Sequence, residues 1–148
     1  GWDYKWVRWG SVMWELSWLI EQTKDKITFL WNLNTTQLKD FFSKLDVLVL
    51  PSIDPLESFW MVQVESMFNN TPVIASNMPW VNEVVNKTGF GYLTIPKSSA
   101  DLAIQIEKMI QEKEKYRELR QNNTIKETVL KDFATEKTVE DYIKVFKI

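Results

Sequence analysis

A single α/β domain over residues 1–148, a parallel sheet with helices on both faces and a helical C-terminal tail, is what this sequence predicts, on three observations. Short apolar runs alternate with stretches of helical periodicity over short connections. The clearest run, Asp46-Val-Leu-Val-Leu50, is continuously apolar and stopped by Pro51, as in a strand covered on both faces. Finally, 148 residues with 45% hydrophobic and 26% charged side chains suffice for one globular domain with a real core.

Residues 1–10 carry no pattern. From Ser11 to about Gln22, Val12, Leu16, Leu19 and Ile20 recur at helical spacing. Lys26–Leu30 is a short β-rich run expected to be a strand. A helix is predicted over Thr35–Leu45, with Leu38, Phe41, Phe42 and Leu45 on one face. After the strand at 46–50, a helix is expected over Phe59–Phe68, a strand over Pro72–Ala75, a turn or two of helix over Val81–Val85, and a last strand over Gly91–Ile95. Ser98 or Ser99 can cap a helix running to Lys113, striped by Leu102, Ile106, Met109 and Ile110. Further helical stretches are predicted at about 114–131 and 135–146, so that the tail occupies about 98–148.

Composition removes several chemistries. The chain has no Cys and no His, hence no disulfide, thiol nucleophile, zinc cluster or imidazole base of its own. No Asp-x-Asp pair offers a carboxylate metal site. A net charge of -2 without a Lys/Arg block gives no reason to expect nucleic acid. No apolar run approaches the ~20 residues of a spanning helix, and no signal peptide opens the chain, so a cytoplasmic location is expected. The first residue is Gly rather than Met, and the start is read as a cut end.

The segment that can carry chemistry follows the strand at 46–50. In open parallel sheets ligands bind beyond the carboxyl ends of the strands, where loops lead into helices. Here Pro51-Ser-Ile-Asp-Pro-Leu-Glu57-Ser-Phe-Trp-Met-Val-Gln-Val-Glu65 puts Glu57 just before a helix and Glu65 about two turns inside it. The helix N-terminus presents unpaired N–H groups suited to a diphosphate. A carboxylate accepts two hydrogen bonds, which suits neighbouring sugar hydroxyls. Spacing alone leaves an ordinary alternative open: a Glu near a helix start is often only a favourable charge, and a Glu within a helix usually faces solvent.

The run Leu48-Val-Leu-Pro-Ser-Ile-Asp-Pro-Leu-Glu-Ser-Phe-Trp-Met-Val-Gln-Val-Glu-Ser-Met resembles the signature of the retaining GT-B glycosyltransferases of the family-4 type, also called glycosyl transferases group 1. Thr71-Pro-Val-Ile-Ala-Ser76 resembles that family's Gly-Thr-Pro-Val strand. Pro79-Trp-Val-Asn-Glu83 resembles its Gly-Gly-x-x-Glu turn, and Thr88-Gly-Phe-Gly91-Tyr-Leu its Thr-Gly strand. The likeness covers about residues 26–146. It implies a Rossmann-like, partial GT-B C-terminal domain that binds a nucleoside-diphosphate sugar and transfers its hexose with retention of configuration. By the same resemblance Glu57 is the catalytic residue and holds donor hexose hydroxyls, while Glu65 holds the ribose. Ser58, Phe59, Trp60 and Met61 would meet the diphosphate or sugar, and Asn32 and Leu33 the base. No metal or other cofactor is implied. The acceptor, a glycan, lipid or small molecule, is not identified. The expected partner is the family's N-terminal domain, which no segment here resembles and through which a peripheral place at the inner membrane face would arise.

The family's basic pair for the diphosphate also has no counterpart here; Lys5 and Arg8 are poor substitutes. Two alternatives stay open: a non-catalytic nucleotide-sugar-binding or interaction module, and a sugar-nucleotide epimerase of the same fold. The tryptophans bear on the first. Eight Trp against four Gly inverts normal usage, in which Gly runs at about 7%. Trp31, Trp60 and Trp80 stand where the family pattern has Gly. Pro79-Trp80 would form the centre of a tight turn, where Gly supplies a positive φ if the turn is type II. We expect most or all eight to be glycines in the organism, encoded by UGA, which some bacterial lineages read as Gly. UGG codons at positions 31, 60 and 80 would refute this.

Overall fold

The computed structural model describes residues 16–133, apart from residue 24, residue 29, residue 31, residues 55–59 and residue 122, and describes residue 60 by its backbone alone. The chain divides into two compact units, Gly1–Leu33 and Asn34–Ile148. In the first, helix α1 spans Ser17–Thr23 and buries none of its residues. The strand expected over Lys26–Leu30 is absent from its described positions, 26–28 and 30. β-Propensity expresses fit to a pleated neighbour, and among the described residues no strand pairs with this run.

The second unit holds the sheet. In chain order it comprises α2 (Thr35–Lys44), β1 (Leu48–Leu50), α3 (Trp60–Phe68), β2 (Val73–Ser76), α4 (Glu83–Thr88), β3 (Gly91–Thr94), α5 (Ser99–Gln111), α6 (Lys113–Arg120) and α7 (Thr124–Phe133). The described strands pair in the order β1-β2-β3, all parallel, with Leu48 opposite Val73 and Val73 opposite Gly91. All four β2 residues are buried. Successive strand side chains point to opposite faces, so the central strand is covered on both. β1 is only half-buried, contrary to the expectation of full cover, because among the described strands it lies at the edge.

Local signals set the helix ends. Asn34 caps α2 through a reciprocal box: its side chain accepts from Gln37 N–H at 2.9 Å, and the Gln37 side chain accepts from Asn34 N–H at 2.9 Å. α3 ends in a Schellman turn. Thr71 N–H reaches the Ser66 carbonyl at 2.9 Å, Asn70 N–H reaches that of Met67 at 2.9 Å, and Asn70 takes φ 59°. Asn thus serves at the position where the family pattern has Gly. Ser98 caps α5 by accepting from Asp101 N–H at 3.2 Å. The Asp101 carboxylate in turn accepts from Ile95 N–H at 2.7 Å and the Thr94 hydroxyl at 2.9 Å, bonds that hold its pKa below the usual value. One acidic side chain therefore ties the end of β3 to the first turn of α5.

The core gathers Val64, Met67 and Phe68 of α3, the β2 residues, Val84 and Val85 of α4, and Phe90. Burial of each such side chain stabilises by roughly 1.5–3 kcal/mol. The C-terminal helices belong to this core, to which they give Met109, Tyr116, Ile125 and Val129. The stretch expected as one helix at 114–131 is two, broken between Arg120 and Thr124. Ile110, placed in the α5 stripe by periodicity, is 63% exposed. The helix expected over 135–146, residues 1–10 and the start of the helix expected over Ser11 to about Gln22 lie outside the described residues.

Candidate functional site

Because β1 and β2 are parallel neighbours, the segments leaving their carboxyl ends emerge side by side. From β1 the chain passes Pro51 and Ser52 toward α3. Ser52 is buried and its hydroxyl has no hydrogen-bond partner among the described residues. From β2 it enters a turn over Met78–Val81, closed by Val81 N–H to the Met78 carbonyl at 3.2 Å. Pro79 occupies the second position and Trp80, at φ 68°, the third. That is the type II arrangement, in which the third residue needs a positive φ. The sequence-based concern is thereby met at Trp80: a bulky side chain stands on a backbone suited to Gly.

Trp80 is 71% exposed, so its indole contributes little packing. The left-handed conformation costs a non-Gly residue about 1–2 kcal/mol, and Gly returns ~0.5–1 kcal/mol of this through the entropy of the unfolded chain. Trp80→Gly is therefore expected to stabilise the protein by about 0.5–1 kcal/mol. A urea melt showing a loss of stability would contradict this.

Of the residues singled out from sequence, Glu57, Ser58 and Phe59 lie outside the described residues, as does the side chain of Trp60. Trp60 itself opens α3, and Met61 follows half-buried in its first turn. The first turn of α3 carries no acidic residue. Glu65 sits in the second turn, half-buried, and burial raises its carboxyl pKa above the ordinary value. A carboxylate partly withdrawn from water, with no compensating donor among the described residues, can accept hydroxyl hydrogen bonds. Asn32, exposed, and Leu33, half-buried, belong to the first unit. Trp31 lies outside the described residues. Among the described residues no three acidic side chains gather as a metal site.

Sequence reasoning did not single out Gln63, which is fully buried and donates from Nε2 to the Val81 carbonyl at 2.7 Å. The only available signal was an amide between two valines in an apolar helix. A cleft of about 480 Å³ lies elsewhere, lined by Asp46, Val47, Met109, Lys113 and Arg120. Asp46 and Val47 precede β1, so this cleft opens at the end of the sheet opposite the candidate site.

The family described as Glycosyl transferases group 1 matches residues 15–126 of the 148. The chain belongs to that family. This group 1 glycosyltransferase chain is 45% identical over 64 residues to the O-antigen chain mannosyltransferase RfbU of Salmonella typhimurium, covering 43% of this chain and 18% of that protein. It is 27% identical over 125 residues to the uncharacterized glycosyltransferase MJ1607 of Methanocaldococcus jannaschii, covering 84% of this chain and 31% of that protein. The chain thus spans under a third of the length of either curated relative. Among its described residues no helix is long and apolar enough to cross a membrane.

Proposed function

We propose that this group 1 glycosyltransferase chain is the donor-binding part of an enzyme that transfers a hexose from a nucleoside-diphosphate sugar with retention of configuration. The observation that carries this reading is Glu65: a half-buried carboxyl of raised pKa, on the helix that follows a parallel strand's carboxyl end. The α3 N-terminus, free of acidic residues in its first turn, supplies backbone N–H groups to the diphosphate. Glu65 accepts from the ribose hydroxyls and Glu57 from the hexose, whose transfer Glu57 assists. The name of the mannosyltransferase relative favours a hexose of the manno series. The reading requires no metal.

Titration calorimetry with GDP, UDP and GDP-mannose tests it. Binding of at least one nucleoside diphosphate is expected, unchanged by EDTA; a chain that binds none defeats the proposal. The 148 residues by themselves are expected to transfer no sugar through multiple turnovers, since they span under a third of each relative's length. Sustained transfer to any acceptor would contradict that second expectation.

A further inference from the structure

Among the described residues Gln63 is the largest polar side chain that is fully buried, on a helix that also buries Val64, Ser66, Met67 and Phe68. Its amide nitrogen donates to the Val81 carbonyl at 2.7 Å, while its oxygen, equally buried, has no partner among the described residues. As a stabiliser this is a poor arrangement. A half-satisfied amide in an apolar core loses more to desolvation than one hydrogen bond returns, and an apolar side chain of similar volume would fill the space. What the amide supplies instead is direction. Val81 closes the Met78–Val81 turn, is itself buried, and follows the residue held at φ 68°. The turn has bonds of its own as well: Val81 N–H and Asn82 N–H both go to the Met78 carbonyl, at 3.2 and 3.0 Å, and Asn82 Nδ2 donates across it to Asn77 Oδ1 at 2.8 Å; Gln63 supplies its tie to α3.

We infer that Gln63 is a positioning residue that clamps the Met78–Val81 turn to α3 at the carboxyl end of β2. The inference rests on the proposed donor site in one respect: that the nucleotide binds at this end of the sheet. The clamp also holds the strain at Trp80. The tie from Gln63 adds to the turn's own bonds in holding Trp80 at positive φ.

Gln63→Met removes the amide at nearly constant volume. The expected result is a thermal midpoint equal to or above that of the parent chain, with amide exchange at Val81 and Asn82 faster by ~5-fold or more, as the loss of one hydrogen bond implies. A double-mutant cycle gives a readout that simple packing would not move: the stabilisation from Trp80→Gly shrinks when Gln63→Met is present, because the released turn has already relaxed. Nucleoside-diphosphate affinity falls with the released turn. Unchanged exchange at Val81 and Asn82, or strictly additive effects of the two substitutions, overturns the inference. So does failure of both Gln63→Met and Gln63→Leu to fold, since the amide would then be part of the core's stability. If the parent chain binds no nucleotide, the donor-site reading fails, while exchange and the cycle still decide the clamp.

Discussion

Gly91→Ala is expected to be the most damaging single-methyl change in the described structure. A Cβ at this position would stand 1.9 Å from the Val73 carbonyl oxygen and 2.9 Å from its carbonyl carbon. Neither atom belongs to a flexible side chain. Val73 is the partner of Gly91 in the β2–β3 register, so relief requires the two strands to separate where their ladder begins. Val73 and its neighbour Ile74 are fully buried, and the displaced strand would carry the centre of the core with it. Overpacking that moves backbone costs about 3 kcal/mol or more, a large part of the ~5–15 kcal/mol that holds a domain folded. Gly89→Ala is the natural control. Gly89 also has a positive φ, 62°, but an added Cβ there meets nothing within 4 Å. Only the conformational cost of about 1–2 kcal/mol then applies. Urea melts of the two variants check the contrast, and equal losses would show that the close approach to Val73 is not the constraint.

The second large effect concerns ligand affinity. On the proposed function, Glu65→Ala removes a charged acceptor from the ribose and is expected to weaken nucleoside diphosphate and nucleotide sugar alike. A hydrogen bond to a charged group contributes about 1.5–3 kcal/mol, hence a loss of roughly 10- to 150-fold. Glu57→Ala should spare the free nucleotide and impair turnover of the sugar donor once the parent enzyme is assayed. Equal effects of both substitutions on free-nucleotide affinity would reject this division of labour. Glu65→Gln separates function from packing by sign. Burial raises the folded-state pKa of Glu65 above its unfolded value. Its favourable contribution is therefore fully present below the unfolded pKa and is lost as pH rises through the raised folded value. Removing the charge should stabilise the unliganded chain at pH 7 and change little at acidic pH, while affinity falls. A residue that served only structure would lose on both counts.

Much of the backbone was legible because local chemistry dictates it. Asn34 and Gln37 close their box within one turn, and Ser98 caps α5 from three residues away. Of the three described non-Gly residues with positive φ, Asn70, Trp80 and Lys97, the first two occupy positions where the family pattern has Gly, so their backbone demand was visible in the sequence; that of Lys97 was not. What could not be read depends on neighbours distant in sequence. Ile110 fits the stripe of α5 by periodicity, yet none of the described elements covers it. Lys26–Leu30 has the composition of a strand, but composition does not supply a partner. Gln63 looked like an ordinary helical amide because the carbonyl it meets lies eighteen residues on, across the turn after β2. Glu57, on which the resemblance places catalysis, falls outside the described residues, and that assignment still rests on sequence alone.

The packing of α7 bears on how the chain is made. Ile125 and Val129 lie in one cluster with Phe68 of α3 and Val85 of α4, and Arg120 reaches back to the Leu45 carbonyl at 2.8 Å. During synthesis the strands and α3 therefore leave the ribosome with one apolar flank uncovered, and it stays so until the residues around 133 have followed. A nascent chain stalled before Thr124 is expected to leave Phe68 and Val85 more exposed than in the finished unit, where α7 packs beside them.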